Sequence, residues 1–229
     1  MNRTIAIVLF ALIALPFPAQ AQSSKGLYVS IGAGINKMQQ EDVDAGPVNG
    51  TLTPGEILTS VGPVVVGALG VGLGHVRLEA EGAYRANDIT SETGLAGETG
   101  ATGTEKKTGV MGNILFDFGR AKVRPYVGGG VGYQSVHEPA ASTTSGGITV
   151  SADAQTKGSF AYQAIAGVAF PASSHLSITL EYRYMGLVGT RTFTGTATIP
   201  GVGAIPLEDD STNDGNHSFM FGIRYGFGG

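Results

Sequence analysis

The run Val76-Arg77-Leu78-Glu79-Ala80-Glu81-Gly82-Ala83-Tyr84-Arg85 presents two opposed surfaces in one short stretch. Val76, Leu78, Ala80 and Tyr84 share one parity, and Arg77, Glu79, Glu81 and Arg85 share the other. A period of two is that of a β-strand, whose successive side chains point to opposite faces. A soluble barrel would turn the apolar parity inward and the charged parity to water. The rest of the chain decides which way this one faces.

Seven further segments repeat the alternation. Leu27, Val29, Ile31, Ala33 and Ile35 form one apolar face, and Val65, Leu69, Val71 and Leu73 form the next. After the quoted run come Val110, Ile114, Phe116 and Phe118, then Val127, Val131 and Tyr133. Phe160 to Phe170, Leu176 to Tyr184 and Phe219 to Phe227 complete the set. Leu73-Gly74-His75, residues 119–124 and residues 171–175 join strands tightly. Residues 38–60, 88–107, 137–157 and 188–215 are long connections rich in Gly, Ser, Thr and acids. An even strand count, short turns at one end and long loops at the other is the pattern of an outer-membrane barrel. The aromatics lie on the continuous apolar parity, as a lipid-facing wall requires. The predicted fold is all-β: an eight-stranded antiparallel transmembrane β-barrel with short periplasmic turns, four long extracellular loops and both termini in the periplasm.

Composition agrees. The 229 residues include 37 Gly, 14% charged residues, no Cys and no Trp. Glycine costs about 1 kcal/mol per helix-interior site relative to Ala, which argues against a bundle. A net charge of −4 disfavours nucleic acid as a partner. The absence of Cys excludes disulfides, zinc–thiolate sites and a lipid anchor on Cys. Arg3, the apolar run Ile5 to Leu15 and Ala19-Gln20-Ala21 read as a signal peptide over residues 1–21, cleaved after Ala21. The barrel domain is then residues 22–229.

The lumen parity carries four bases, Arg77, Arg85, Arg183 and Arg224, and four acids, Glu79, Glu81, Asp117 and Glu181. Buried charges persist when paired, so these eight are expected to form an internal ion-pair network. Gly128, Gly130, Gly132, Gly167 and Gly222 share that parity and are expected to make room for the arginines. The long loops are expected to carry an acidic exterior, with Lys107, Arg191, Glu41, Glu105 and Asp214 among their charges.

Several segments resemble the small outer-membrane β-barrel superfamily of opacity proteins, the outer membrane protein A barrel, and alphaproteobacterial and rickettsial surface antigens. They are Arg77-Leu78-Glu79-Ala80-Glu81, residues 125–132, Phe160-Ala161-Tyr162-Gln163, residues 180–184 and the closing residues 216–227. The resemblance implies outer-membrane lipids and lipopolysaccharide as surroundings. It also implies a last strand read by the barrel-assembly machinery through Phe219, Phe221, Ile223, Tyr225 and Phe227. Here Gly228 and Gly229 follow that final aromatic.

No catalytic, cofactor or metal motif stands out. The acidic runs around Asp42 and Glu208-Asp209-Asp210 lack EF-hand spacing and read as solvated surface. His217 and Ser218 are adjacent, so in a strand they face opposite ways. The expected function is a non-enzymatic surface protein that meets an exterior ligand through its loops, as a surface antigen, adhesin or envelope-integrity factor. A narrow porin-like channel is the alternative.

Overall fold

The computed structural model describes residues 25–47, 50–51, 53–94, 97–99, 103–118, 122–212 and 214–227. The signal segment with Ala19 and Ala21, residues 119–121 of the second tight turn, and Gly228-Gly229 lie outside these residues. The strands in chain order are β1 (Lys25–Met38), β2 (Glu41–Pro47), β3 (Thr53–Thr59), β4 (Val61–Leu73) and β5 (Val76–Gly94). They continue with β6 (Gly97–Thr99), β7 (Gly103–Asp117), β8 (Arg124–Glu138), β9 (Ala141–Ser145) and β10 (Ile148–Ala152). The last are β11 (Gln155–Pro171), β12 (Leu176–Val188), β13 (Arg191–Ile199), β14 (Gly203–Thr212) and β15 (Gly215–Gly226).

Eight of them close a barrel in the order β4-β1-β15-β12-β11-β8-β7-β5, with β5 returning to β4. Each pair is antiparallel. Closure satisfies the backbone around the whole ring, which hydrocarbon demands because it offers no hydrogen-bond partner. The apolar parity faces outward: Leu69 is 66% exposed, Val131 70% and Phe160 71%. The charged parity is buried within. Gly74, at φ +99°, makes the bend between β4 and β5.

Among the described residues the long connections are largely strand rather than irregular chain, which the sequence reading did not anticipate. Above the apolar band the wall continues as a second tier. On one side β5, β7, β8 and β11 run on unbroken. On the other, β4, β1, β15 and β12 each bend and resume as β3, β2, β14 and β13. β2 pairs with β14 and β3, β3 pairs with β5, and β13 pairs with β14. The β9–β10 hairpin turns on Gly146-Gly147, whose positive φ values suit a two-residue hairpin turn. β10 then adds to β13. Between β11 and β13 the Gln155 amide completes the tier: its Nε2 donates to the Thr194 carbonyl at 2.6 Å, and Thr194 N donates back to Oε1 at 3.2 Å.

The lumen glycines do not cradle guanidinium groups, also contrary to expectation. A Cβ on Gly130 would lie 1.9 Å from Asn113 Oδ1, and one on Gly132 would lie 2.6 Å from Met111 Sδ. Gly128 lies under Leu115, Gly167 under Tyr126 and Gly222 beside Thr179. These glycines admit uncharged neighbours from the adjoining strands.

Candidate functional site in the barrel lumen

Inward parity brings the eight predicted charges into one bore, where they divide unequally. Arg77 donates from Nε to both Asp117 oxygens at 3.0 and 3.1 Å, and from Nη1 to Glu79 at 2.8 Å. Tyr28 donates its hydroxyl to the same Glu79 oxygen at 2.6 Å, and the Arg77 guanidinium lies 4.7 Å from the Tyr126 ring centre. Arg183 forms a second triad, donating to Glu181 through Nε at 2.8 Å and to Glu81 through Nη1. Tyr126 donates to Glu181 at 2.6 Å, and Asn113 donates to Glu81 at 2.7 Å. Gln163 in turn donates to Asn113 at 2.6 Å.

Arg85 and Arg224 make no ion pair among the described residues. Arg224 lies over the Tyr28 ring, 5.7 Å from its centre, in the field of Asp117. Arg85 is 1% exposed, and its three guanidinium nitrogens have no hydrogen-bond partner among the described residues. It sits in the field of Glu81 below and Asp214 above. Each triad holds one cation between two carboxylates, so each unpaired arginine offsets a triad's surplus charge.

Asp214 belongs to a further network that sequence reasoning placed on the exterior. Lys107 pairs with Glu105 and with Asp214, the latter at 3.0 Å. Arg191 pairs with Glu41 at 2.6 Å and with Asp214 at 3.2 Å, and it donates to Ser211. All five charged groups are buried inside the second tier. Below them, Asn216 donates to Asp214 at 2.8 Å, and Asn36 donates to Asn216 at 3.0 Å and to Asn87 at 2.6 Å. Two of the five charges were legible. Extending the lumen parity of Met111, Asn113, Leu115 and Asp117 backward reaches Lys107 and Glu105 without a break.

Three carboxylates face two cations here, above the apolar band. Burial, reinforced by Asp214 and Glu105, holds the Glu41 carboxyl well above the usual range despite Lys107 and Arg191. Burial also raises Glu105, against the pull of Lys107. Burial alone would lower Lys107, but Asp214, Glu105 and Glu41 outweigh it and raise the ammonium.

On the outer wall, Phe219, Phe221, Ile223 and Tyr225 form the exposed apolar row of β15, and Phe227 just past its end continues it. His217 accepts from or donates to the Tyr182 hydroxyl at 2.6 Å on that face, while Ser218 is buried and donates to Asn36. Among the described residues, no three His, Cys, Asp or Glu side chains come together as metal ligands do.

This geometry coincides with what the chain resembles elsewhere. A family model described as the outer membrane protein β-barrel domain matches residues 7–227. The chain belongs to that family. As an outer membrane protein β-barrel it resides in the outer membrane, with lipid against its apolar wall. A relative described as "Outer membrane protein" from Gluconacetobacter diazotrophicus is 32% identical over 98% of this chain. The chain spans 64% of that relative's length. Outer membrane protein OprG from Pseudomonas aeruginosa superposes with a TM-score of 0.64 at 12% identity, covering 90% of this chain and all of that one. Neisserial surface protein A gives 0.51 at 13% identity, covering 88% and 97%. Both likenesses concern the fold.

Proposed function

We propose that this outer-membrane barrel is a non-enzymatic surface protein whose lumen is plugged and whose second tier meets exterior ligands. In this reading both ends of the barrel chain lie in the periplasm, residues 1–21 are removed on export, and the outward row of β15 is the assembly signal. One observation carries the proposal: the bore is filled at successive levels by paired charges, with Arg85, Tyr126, Lys107, Leu115, Met185 and Gln134 fully buried inside it. An eight-stranded barrel is just wide enough for side chains to fill. The opposed directions of His217 and Ser218 support the absence of a hydrolytic pair.

Planar-bilayer recording tests the plug. Wild-type protein gives no stable conductance, and steady unitary currents that change in Arg183→Ala or Glu181→Ala would refute it. A second reading, a narrow ion path, draws on the polar lining that runs from Arg224 up to Glu41. It predicts those currents.

A further inference from the structure

A cavity of about 830 Å³ opens on the outer wall where β12, β15 and β1 bend into the second tier. We infer that it is a binding site for a saccharide carrying no negative charge. The proposal deepens the reading of this molecule as an exterior-facing binding protein, and of the described lining residues only Asp214 belongs to the buried networks.

The floor is bare backbone. Gly186 and Gly215 face each other across the β12–β15 pair. A Cβ on Gly186 would stand 2.6 Å from the Tyr162 ring, and one on Gly215 would stand 2.2 Å from Gln39 Oε1 and 3.1 Å from the Tyr184 hydroxyl. The absence of side chains there lets two phenol rings, 6.2 Å apart between centres, line one wall. Such rings present a flat apolar face beside a polar tip.

The other walls are polar. Gln39 and Gln40 bring amides that both donate and accept, and Thr190 and Thr212 bring hydroxyls. Asp42 and Glu56 are directly opposed across β2 and β3 and also line the cavity. No Lys or Arg is among the lining residues. Opposed like charges are unfavourable in a sheet and repel an anion. The lining thus combines flat apolar faces with closely spaced donors and acceptors and a negative field. A sugar ring matches it, with an apolar C–H face and hydroxyls that serve both roles.

Other ligand classes fit less well. A phosphate or carboxylate meets carboxylates as the only charged groups among the described lining residues. A lipid tail would find Leu187 as the single aliphatic side chain among the described lining residues. A bound metal would need a group of three acidic or imidazole ligands, and the described residues contain none. The cavity volume lies within the range of small-ligand sites. The sugar has two sources: lipopolysaccharide in the surrounding leaflet, or a soluble exterior glycan.

Titration calorimetry on the full chain in a zwitterionic detergent separates the outcomes, since a glycoside detergent would itself compete. Maltotriose, chitotriose and mannotriose are the probes, with glucose 6-phosphate as the anionic counterpart. At least one trisaccharide binds saturably, and Tyr184→Ala or Tyr162→Ala weakens it about tenfold, near 1.4 kcal/mol. Tyr133→Ala, on the same outer wall but outside the cavity lining, binds as wild type does. Tyr184→Phe keeps the ring and serves where the alanine variants fail to fold, as judged by heat-dependent gel mobility. Vesicles of lipopolysaccharide that block the trisaccharide identify the leaflet as the source, and vesicles that leave it bound identify a soluble glycan. No saturable binding of any of the three, wild-type affinity in folded Tyr162→Ala or Tyr184→Ala (or, where neither folds, in Tyr184→Phe, which lacks the hydroxyl), or equal binding of glucose 6-phosphate overturns the site. Lumen conductance would refute the plug and leave this site standing. Absent binding with an insulating lumen would do the reverse.

Discussion

Two buried arginines of one lumen are expected to respond to the same substitution with opposite signs. Arg183→Met removes the cation that holds Glu81 and Glu181, whose side chains are 0% and 16% exposed. Glu81 keeps its bonds from Asn113 and Gln163, and Glu181 keeps Tyr126. Neither keeps a direct counter-charge. Breaking a buried pair in this way costs about 3–5 kcal/mol, because the partner is left charged in a poor solvent. Arg85→Met removes a guanidinium that makes no hydrogen bond with the described residues. Only the more distant attraction of Glu81 and Asp214 is lost, and a desolvated charge is exchanged for an apolar side chain of similar length. Apolar replacements of buried ionic groups are often neutral or stabilising by about 1–4 kcal/mol. The two variants should therefore differ by at least about 3 kcal/mol. With a urea slope of about 2 kcal/mol/M, their unfolding midpoints separate by about 1.5 M or more. Far-UV circular dichroism in lipid vesicles follows the transition. If Arg85→Met falls as far as Arg183→Met, direct pairing is not what distinguishes the two arginines, and the division of the lumen into triads and offsets is wrong.

The raised carboxyls of Glu41 and Glu105 mean that the folded second tier binds protons more tightly than the unfolded chain. Its stability falls as pH rises from the ordinary carboxylate range through those raised values. Hydrogen exchange in β2 and β13 should thus show greater opening stability near about pH 5 than about pH 8, after correction for intrinsic exchange, and Glu41→Gln should flatten the difference. Opening free energies that rise toward alkaline pH would contradict the assignment. Gly130→Ala should cost about 1–3 kcal/mol by overpacking against Asn113, whereas Gly82→Ala, with open space around its Cβ, should be neutral or slightly stabilising. Equal urea midpoints for the two would remove the packing argument.

The eight wall strands were legible because two constraints act on each residue there. Lipid requires one parity to be apolar, and a narrow bore holds the other, so Val76 to Arg85 alternates cleanly. At three of the four bends the second tier was hidden because that alternation changes phase; from β12 to β13 the inward parity stays odd, through Arg183, Met185, Arg191 and Phe193, and only the break at Gly189-Thr190 intervenes. In β1 the inward residues are Asn36 and Met38, and in β2 they are Glu41 and Val43. In β4 the inward parity runs through Val64 and Val66, and in β3 through Ile57 and Thr59. Ser218 and Asn216 of β15 are even, and Ser211 and Leu207 of β14 are odd. A period-two reading ends at each slip and leaves the remainder as loop. Where no slip occurs, as in β7, the same reading extends to Lys107 and Glu105. The bend cavity was not legible, since Gln39, Tyr162, Tyr184 and Gly215 meet only through pairings distant in sequence.

The slips also lie where physics tolerates them. Within the apolar band, a one-residue shift moves every following side chain to the wrong face. Inserting one serine after Ile31 would turn Ala33 and Ile35 inward and push Asn36 toward hydrocarbon. It would also break the ladders of β1 with both β4 and β15. Above the band, water accepts either face, and the register of β2 is held independently by β14 and β3. A serine inserted between Gln39 and Gln40 lengthens a bend without altering any of those pairs. The loop-entropy cost of one added residue is only a few tenths of a kcal/mol. Refolding yield into lipid vesicles separates the two: the bend insertion folds about as well as wild type, and the strand insertion does not. Equal loss in both would show that the bend is as constrained as the wall. The phase slip could then no longer be treated as a freedom of the membrane boundary, and the cavity beside it would lose its structural explanation.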